Sequence, residues 1–157
     1  MGRWQNFSIW KGRLPHWRAD DVRYYVTFRH RRALSDPERN VLFQNIFRAQ
    51  RRKFDFLILC VLPEATEMIF TVNSGPAGEP YELSDVLEKA KRKAGATIIK
   101  KSGERFPPFY SESYDRIIRD DEELEVTWNK ILTSPVDAEL VDEPEAWMDL
   151  YVADAPS

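Results

Sequence analysis

The sequence predicts an α+β fold, in which an antiparallel sheet of about four to five strands has helices packed on one face. The first observation is the order of the predicted elements, which is strand, helix, strand, strand, helix, strand, helix. An antiparallel sheet with helices against it is the simplest fold for that order. The second is a pair of strands between residues 54 and 72 that includes the longest apolar run of the chain. So apolar a strand belongs in the middle of a sheet.

Length and composition favour one intracellular domain. The chain has 157 residues, of which 43% are hydrophobic and 13% aromatic, which suffices for a sizeable core and excludes a disordered protein. The longest apolar run, residues 56–62, is too short to span a bilayer. The first ten residues contain no apolar signal sequence, so we expect a cytoplasmic protein without a membrane partner. Cys60 lies inside the apolar strand, where we expect a buried thiol that packs as a small hydrophobe.

The charge changes sign along the chain. Residues 1–53 hold 13 Lys and Arg against 4 Asp and Glu, whereas residues 111–157 hold 3 against 14. This polarity indicates one of two arrangements. Either the protein has a basic surface for a polyanion at one end and an acidic tail at the other, or the two ends pair with each other in the folded chain. The sequence alone leaves both open.

The predicted organisation has three parts. These are an arm at residues 1–20, an α+β domain at 21–135, and an acidic segment at 136–157 that packs on the domain as short turns. The arm carries Trp4 and Trp10 among basic residues. Such a mixture suits stacking on bases with contacts to phosphate, and it equally suits an irregular arm that its indoles hold against the domain.

The first strand and the first helix follow the arm. Residues 22–29 are rich in β-branched and aromatic side chains that alternate, as in a strand. Ser35 can cap a helix while Glu38 bonds back to the cap. We expect this helix to end at about residue 52 and to bury Leu42 and Ile46.

The next two strands, residues 54–62 and 67–72, form a hairpin across the polar connection 63–66. Strict alternation in the first of them places two apolar sets on opposite faces. The sets are Phe54, Phe56, Ile58, Cys60 and Leu62 on one face, and Leu57, Leu59 and Val61 on the other. Because both faces are apolar, both have to be covered, and two helices cover one. The other needs the N-terminal arm, the C-terminal segment or a second subunit.

Two more helices and a strand complete the prediction. A helical stripe begins at Leu83 after the loop 73–80, and its polar side carries lysines that are either solvated or in contact with phosphate. Residues 110–118 alternate as a strand. The third helix begins at the acidic capping pattern of residues 120–123, and we expect it to stop before Pro135.

Three separate motifs occur in order along the chain. They are RLPHW at 13–17 followed by YYVTFR at 24–29, then YDRIIRD at 114–120, and finally SPVDAELV at 134–141. Together they resemble the REP-associated tyrosine transposases, which are IS200-like single-tyrosine transposases, over roughly residues 10–147. The resemblance implies a ferredoxin-like fold, single-stranded or hairpin DNA as the partner, and a homodimer formed through the sheet.

The resemblance also implies where catalytic residues would lie, and this chain departs from the family at each position. The family's hairpin normally reads Met-Pro-Asn-His-hydrophobic-His, and its two histidines, which would hold Mg²⁺ or Mn²⁺, align with Ala65 and Glu67. The nucleophilic tyrosine aligns with Lys130 and a third metal ligand with Ser134. Nicking needs a metal to polarise the phosphate and a hydroxyl to attack it. We therefore expect no catalytic residues and no cofactor, in a domesticated transposase-like protein that binds DNA without nicking it.

Two alternatives stay open. The first is an active transposase with a rearranged centre. Glu64 and Glu67 are weak candidates for its metal site, in which carboxylates would hold Mg²⁺ or Mn²⁺. Tyr110 or Tyr114 would supply the relocated phenol. The acidic C-terminal third and an overall pI near 5.5 instead favour a protein-interaction module that keeps the scaffold alone, with a protein partner at the acidic C-terminus.

The candidate DNA contacts are mostly basic residues, spread over the motifs, the end of the first strand and the helix faces. They are Arg13, His16, Trp17, Arg18, Arg29, Arg31, Arg32, Lys89, Lys93, Arg116, Arg119 and Lys130. Lys130 points away from the apolar stripe of its helix. It could therefore hold a phosphate at the position where the family would attack one.

Overall fold

A computed structural model describes residues 22–50, 54–72, 83–110 and 112–153. The strands are β1 (Arg23–Arg29), β2 (Phe54–Val61), β3 (Ala65–Val72), β4 (Tyr114–Ile118) and β5 (Leu150–Val152). The helices are α1 (Asp36–Phe47), α2 (Leu83–Ser102), α3 (Asp121–Asp137) and a 3-10 turn at Pro144–Ala146. None of these helices is both long enough and apolar enough to cross a membrane. The predicted arm at 1–20 and the predicted loop at 73–80 lie outside the described residues.

The five strands form one antiparallel sheet in the order β4-β1-β3-β2-β5. The succession β1, α1, β2, β3, α2, β4 is a ferredoxin-like unit, to which β5 adds an edge strand beside β2. The predicted fold class, α+β with an antiparallel sheet, is confirmed. The apolar strands β2 and β3 each have a neighbour on both sides, as their composition predicts.

Helices α1 and α2 cover one side of the sheet, which we call the α1–α2 face. Its core consists of buried apolar side chains from three strands and both helices. Members from the sheet are Val26, Phe28, Phe56, Leu59, Met68 and Phe70, and members from the helices are Leu42, Ile46, Leu87, Ala90, Ala94 and Ile98. Complete burial of one such aliphatic or aromatic side chain contributes about 1.5–3 kcal/mol. This face is therefore a large source of stability.

Helix α3 covers the opposite side, which we call the α3 face. Its core also combines strand and helix residues, and β5 takes part in it. The members are Tyr25, Leu57, Ile58, Cys60, Ile69, Ile118, Leu124, Trp128, Ile131, Leu132, Leu150 and Val152. The helices thus occur on both faces, and the expected placement on one face does not extend to α3. Of the three coverings considered for the second face, the C-terminal segment contributes through β5 and the half-buried Trp147.

A β-bulge in β2 makes the predicted division of its side chains wrong. The register between β2 and β3 shifts between Phe56 and Ile58. As a result Phe56 packs on the α1–α2 face with Leu59, whereas Leu57 packs on the α3 face beside Ile58. Strict alternation fails because a bulge inserts one extra residue, which turns every later side chain to the other face.

Helix α1 begins as predicted and ends early. Ser35 and Glu38 form a reciprocal capping box, in which the Glu38 carboxylate accepts from the Ser35 backbone N–H at 2.9 Å. The helix stops at Phe47 rather than near residue 52. Shortly after it, the side chain of Gln50 accepts from the backbone N–H of Phe56 at 2.8 Å and donates to the Tyr151 hydroxyl at 3.3 Å. These bonds hold the chain beside β2 and β5, which favours leaving the helix at this point.

Helix α3 also begins as predicted, but the expected stop before Pro135 is wrong. Asp120 caps it by accepting from the Glu123 backbone N–H at 2.8 Å. The helix includes Pro135 and continues to its end at Asp137. Proline has no N–H to donate to the carbonyl four residues earlier, which is that of Ile131. The Ser134 hydroxyl donates to this carbonyl at 2.7 Å, so the acceptor is satisfied and the helix continues.

The C-terminal segment forms β5 in addition to the expected turns. Arg39 of α1 donates to Asp149 at 3.0 Å in a buried ion pair, and its guanidinium lies over the Trp147 ring at 4.7 Å. The Trp147 indole donates to the carbonyl of Val61 at 3.0 Å. A basic residue of the first third therefore pairs with an acidic residue of the last third, as one of the two charge interpretations predicts.

Candidate functional site

The four positions at which the resemblance places catalytic residues lie at the start of β3 and on α3. Ala65 begins β3, and Glu67 follows on the same face of the strand, opposite Cys60 of β2. The thiol of Cys60 lies 3.7 Å from the hydroxyl of Ser134. The charge of Lys130 acts on the Glu67 carboxylate. The fold therefore brings Glu67, Lys130 and Ser134 together on the α3 face.

Glu67 is half-buried and interacts with two neighbours. It has a hydrogen bond with Tyr25 and an electrostatic interaction with Lys130. Burial raises the pKa of its carboxyl above the ordinary value, while Lys130 and a hydrogen bond from the Tyr25 hydroxyl lower that pKa in part. Burial also raises the pKa of the Tyr25 phenol, and the nearby carboxylate raises it further. The phenol therefore stays protonated at neutral pH and donates to Glu67.

Arg116 of β4 completes this polar cluster. Its guanidinium lies over the Tyr25 ring at 5.2 Å, pairs with the Glu123 carboxylate and donates to the Thr127 hydroxyl at 3.3 Å. The sequence prediction included Arg116 as a DNA contact but did not include Tyr25. The alternation of β1 could have identified it, because Tyr25 and Thr27 lie on the same face of β1 and Thr27 is opposite Glu67.

His30 supports the hairpin from the other side of the sheet. One ring nitrogen, Nδ1, lies 2.8 Å from the Pro63 carbonyl, and the other, Nε2, lies 2.9 Å from the Thr66 hydroxyl. Burial lowers the pKa of His30 to about 4, so the ring is neutral at pH 7. In that state Nδ1–H donates to Pro63 and Nε2 accepts from Thr66. Both nitrogens are engaged within the hairpin.

These residues do not fit a resident Mg²⁺ or Mn²⁺. Both ions require several oxygen ligands. The Ala65 side chain has no ligand atom, the Ser134 hydroxyl is directed to the Ile131 carbonyl, and the Glu67 carboxylate accepts from Tyr25 and lies within the influence of the Lys130 charge. Among the described residues, no group of three or more His, Cys, Asp or Glu is arranged to hold a metal ion. The exposed Glu64 does not complete such a group.

The other candidate DNA contacts fall into separate clusters. Arg29 and Arg31 are exposed at the end of β1. Lys89 and Lys93 of α2 line a cavity of about 140 Å³ between α1 and α2, together with Arg48. Arg13, His16, Trp17 and Arg18 lie outside the part of the chain that the structure describes.

Two further candidates are Arg32, which has ion-pair partners, and Arg119, which borders a depression. Arg32 binds the carboxylates of both Glu38 and Glu104, and these bonds raise its pKa and lower the pKa of each carboxyl to about 2. Its guanidinium therefore joins α1 to the segment that follows α2. Arg119 lines a depression along β4 with Tyr114 and other residues of that strand.

No family model matches this chain, and no curated protein matches it. Solved structures do. A REP-associated tyrosine transposase bound to a REP hairpin superposes with a TM-score of 0.64 at 18% identity, over 86% of this chain and 81% of that one. A Deinococcus radiodurans protein assigned as a transposase gives a TM-score of 0.49 at 9% identity, over 71% of this chain and 90% of that one. The chain has the fold of the REP-associated, IS200-like tyrosine transposases.

Proposed function

We propose that this protein binds single-stranded or hairpin DNA through a transposase-type fold and does not nick it. The support for DNA comes from the fold, since the similar transposase is bound to a REP hairpin, and from the exposed cations at the end of β1 and between α1 and α2. Exposed cations neutralise phosphates and release counterions, which drives such binding.

The observation that carries the non-nicking part is that the charge of Lys130 acts on the Glu67 carboxylate. A nicking centre needs a metal and a phenol at these positions. Here one position holds a carboxylate and the other an ammonium, and the two interact. Lys130 belongs to the exposed side of α3, so its ammonium can donate to a DNA phosphate as a second partner. The position would then bind a phosphate without attacking it.

A gel-shift titration with hairpin and duplex oligonucleotides at several salt concentrations tests DNA binding. We expect micromolar or tighter binding that weakens as salt rises. Lys130→Ala should weaken binding and reduce the slope of log affinity against log salt by about 1, whereas Lys130→Arg should retain both. Absence of salt-sensitive binding in the wild-type protein would overturn the proposal.

Incubation with labelled hairpin DNA and Mn²⁺ or Mg²⁺ tests the absence of nicking. We expect neither a cleaved strand nor a covalent phosphotyrosine adduct. An adduct would instead establish the rearranged centre. Its loss in Tyr25→Phe, Tyr110→Phe or Tyr114→Phe would then identify the phenol.

We also propose that the protein is cytoplasmic and that it forms a homodimer through the sheet. Light scattering can test whether it is a dimer.

A protein-interaction module is the second candidate function. It is favoured by the exposed acidic residues that follow α3 and by Met148, whose side chain is 92% exposed. The acidic residues are Glu139, Asp142, Glu143 and Glu145. A partner that is retained by the wild-type chain and lost from Met148→Glu would support this candidate.

A further inference from the structure

The segment that follows α2 presents two exposed aromatic rings next to exposed guanidinium groups. Phe106 is 57% exposed and Tyr110 is 51% exposed. The guanidinium of Arg31 lies 5.8 Å from the centre of the Phe106 ring and 6.0 Å from that of Tyr110. Arg105 lies 5.6 Å from the Phe106 ring. Large aromatic side chains at this exposure leave ring surface accessible to a ligand.

The residues between the two rings fix this segment to the fold. Phe109 is buried and packs edge-on against Phe28 at 6.2 Å and His30 at 5.7 Å. The backbone also pairs with the end of β1, because the Arg31 N–H donates to the Pro108 carbonyl at 2.7 Å and the Tyr110 N–H donates to the Arg29 carbonyl at 3.3 Å. The exposed rings therefore stand on a segment that the core holds in place.

Two further contacts restrain the same segment on its N-terminal side. The Arg32 guanidinium donates to both oxygens of Glu104 and to both oxygens of Glu38 at the start of α1. Pro107 packs so closely on α2 that a Cβ added to Gly95 would lie 3.0 Å from it. Because contacts within the protein hold this segment in place, the two exposed rings are pre-organised, and pre-organisation lowers the entropic cost of binding.

We infer that Arg31, Phe106 and Tyr110 form a stacking platform for unpaired nucleobases of DNA. Aromatic rings stack on bases irrespective of sequence, and a guanidinium beside them contributes cation–π contact and attracts the phosphate backbone. The exposed Arg29 and Arg105 add positive charge around the rings. Paired bases keep their faces inside the duplex, so the platform selects single strands. This inference rests on the proposed DNA-binding function and assigns a site to it.

Fluorescence anisotropy with three labelled ligands tests the inference. They are a single-stranded oligonucleotide, the same strand in a duplex, and a strand of the same length with abasic sugars in place of the bases. We expect the wild-type protein to bind the single strand at least about fivefold more tightly than the abasic strand, since stacking on each ring contributes a factor of that size or larger. Equal affinity for the two strands would overturn the inference and leave phosphate contacts alone.

Phe106→Ala combined with Tyr110→Ala should remove this preference for bases, and affinity for the abasic strand should stay unchanged. Tyr114→Ala is the matched control, because Tyr114 is also 57% exposed but lies on β4. If the double alanine variant does not fold, Phe106→Leu with Tyr110→Leu retains apolar area without an aromatic face, and the same loss is expected.

The outcomes separate the site from the function on which it rests. A wild-type protein that binds none of the three ligands would overturn the proposed function itself. A wild-type protein that prefers bases, while its platform variants keep that preference, would overturn the platform and leave DNA binding intact. If Tyr114→Ala lost the preference for bases and the platform variants kept it, the stacking site would instead lie on β4.

Discussion

Each face of the sheet buries an apolar core, but the polar groups of the two faces differ. On the α1–α2 face, the buried His30 is neutral and has both ring nitrogens hydrogen-bonded within the protein. On the α3 face, Glu67 is half-buried between Tyr25 and Lys130, and Arg116 pairs with Glu123 close by. The buried histidine of the first face therefore serves the fold, whereas the charged groups around Glu67 on the second face border solvent.

This difference matters because the second face is where the resemblance places a nicking centre. Leu124, Trp128 and Ile131 of α3 pack this face against the sheet. At the positions that the resemblance assigns to that centre, this chain has a carboxylate at Glu67 and an ammonium at Lys130, and the charge of Lys130 acts on Glu67. A scaffold can keep its core while its site changes, since burial and site chemistry depend on different side chains.

Breaking the α1–α2 face should have the largest effect. Phe70 is fully buried and packs against Phe56 at 5.7 Å and Tyr24 at 6.0 Å. We expect Phe70→Ala to lower the free energy of unfolding by about 3–5 kcal/mol, through lost burial and the cavity left behind. Urea denaturation measures it. The exposed Tyr114→Ala serves as the control and should cost less than about 1 kcal/mol. A loss below that value for Phe70→Ala would contradict the assigned core.

The neutral His30 predicts a pH dependence of intermediate size. Its folded pKa of about 4 lies below the ordinary value of 6.5. Between these values the unfolded chain binds a proton that the folded chain does not, so stability is fully present above pH 6.5 and falls as pH falls toward 4.

His30→Gln lacks this titration. The stability advantage of the wild type over His30→Gln should therefore shrink by about 2 kcal/mol between pH 7 and pH 5. Urea denaturation of both proteins at the two pH values checks it. Taking the difference between the two proteins removes the contribution of carboxyl groups that titrate in both. An advantage that does not change with pH would show that His30 is not neutral in the folded protein.

The charges of the α3 face should give the smallest effect. A double-mutant cycle of Lys130→Met and Glu67→Gln should yield a coupling of about 0.5–1 kcal/mol, because Lys130 compensates a half-buried carboxylate. The raised pKa of Glu67 also has a sign. The folded state binds this proton more strongly, so the wild type loses stability relative to Glu67→Gln as pH rises through that pKa. Additive single effects, with no coupling, would contradict the pairing.

Much of the fold could be predicted from local pattern. Alternation and capping residues located the strands and the starts of the first and third helices, because these features depend on neighbouring residues. The end of α1, the passage of α3 through Pro135 and the edge strand β5 could not be predicted in this way. Each depends on a bond to another part of the chain or on a side chain that replaces a missing donor, as the Ser134 hydroxyl does at Ile131.

The candidate site divides in the same manner. The motifs alone indicated Ala65, Glu67, Lys130 and Ser134 as the positions at which this chain departs from the family that it resembles. They did not indicate that Tyr25 would donate to Glu67, or that Arg32 would bind two carboxylates rather than face solvent. Such partners are distant in sequence, and local sequence patterns do not indicate which distant residues come into contact in the folded chain.

By itself, the sequence determined that this chain folds as an antiparallel α+β domain, and which residue types occupy the positions at which the resemblance places a nicking centre. Composition, periodicity and motif spacing are properties of the chain that need no partner. The tertiary structure alone decided which side chains share a face. One inserted residue in β2 reversed the sidedness of that strand, and the packing of residues 105–110 against β1 exposed two aromatic rings beside Arg31. Register and long-range packing determine these neighbours, and local pattern does not specify either.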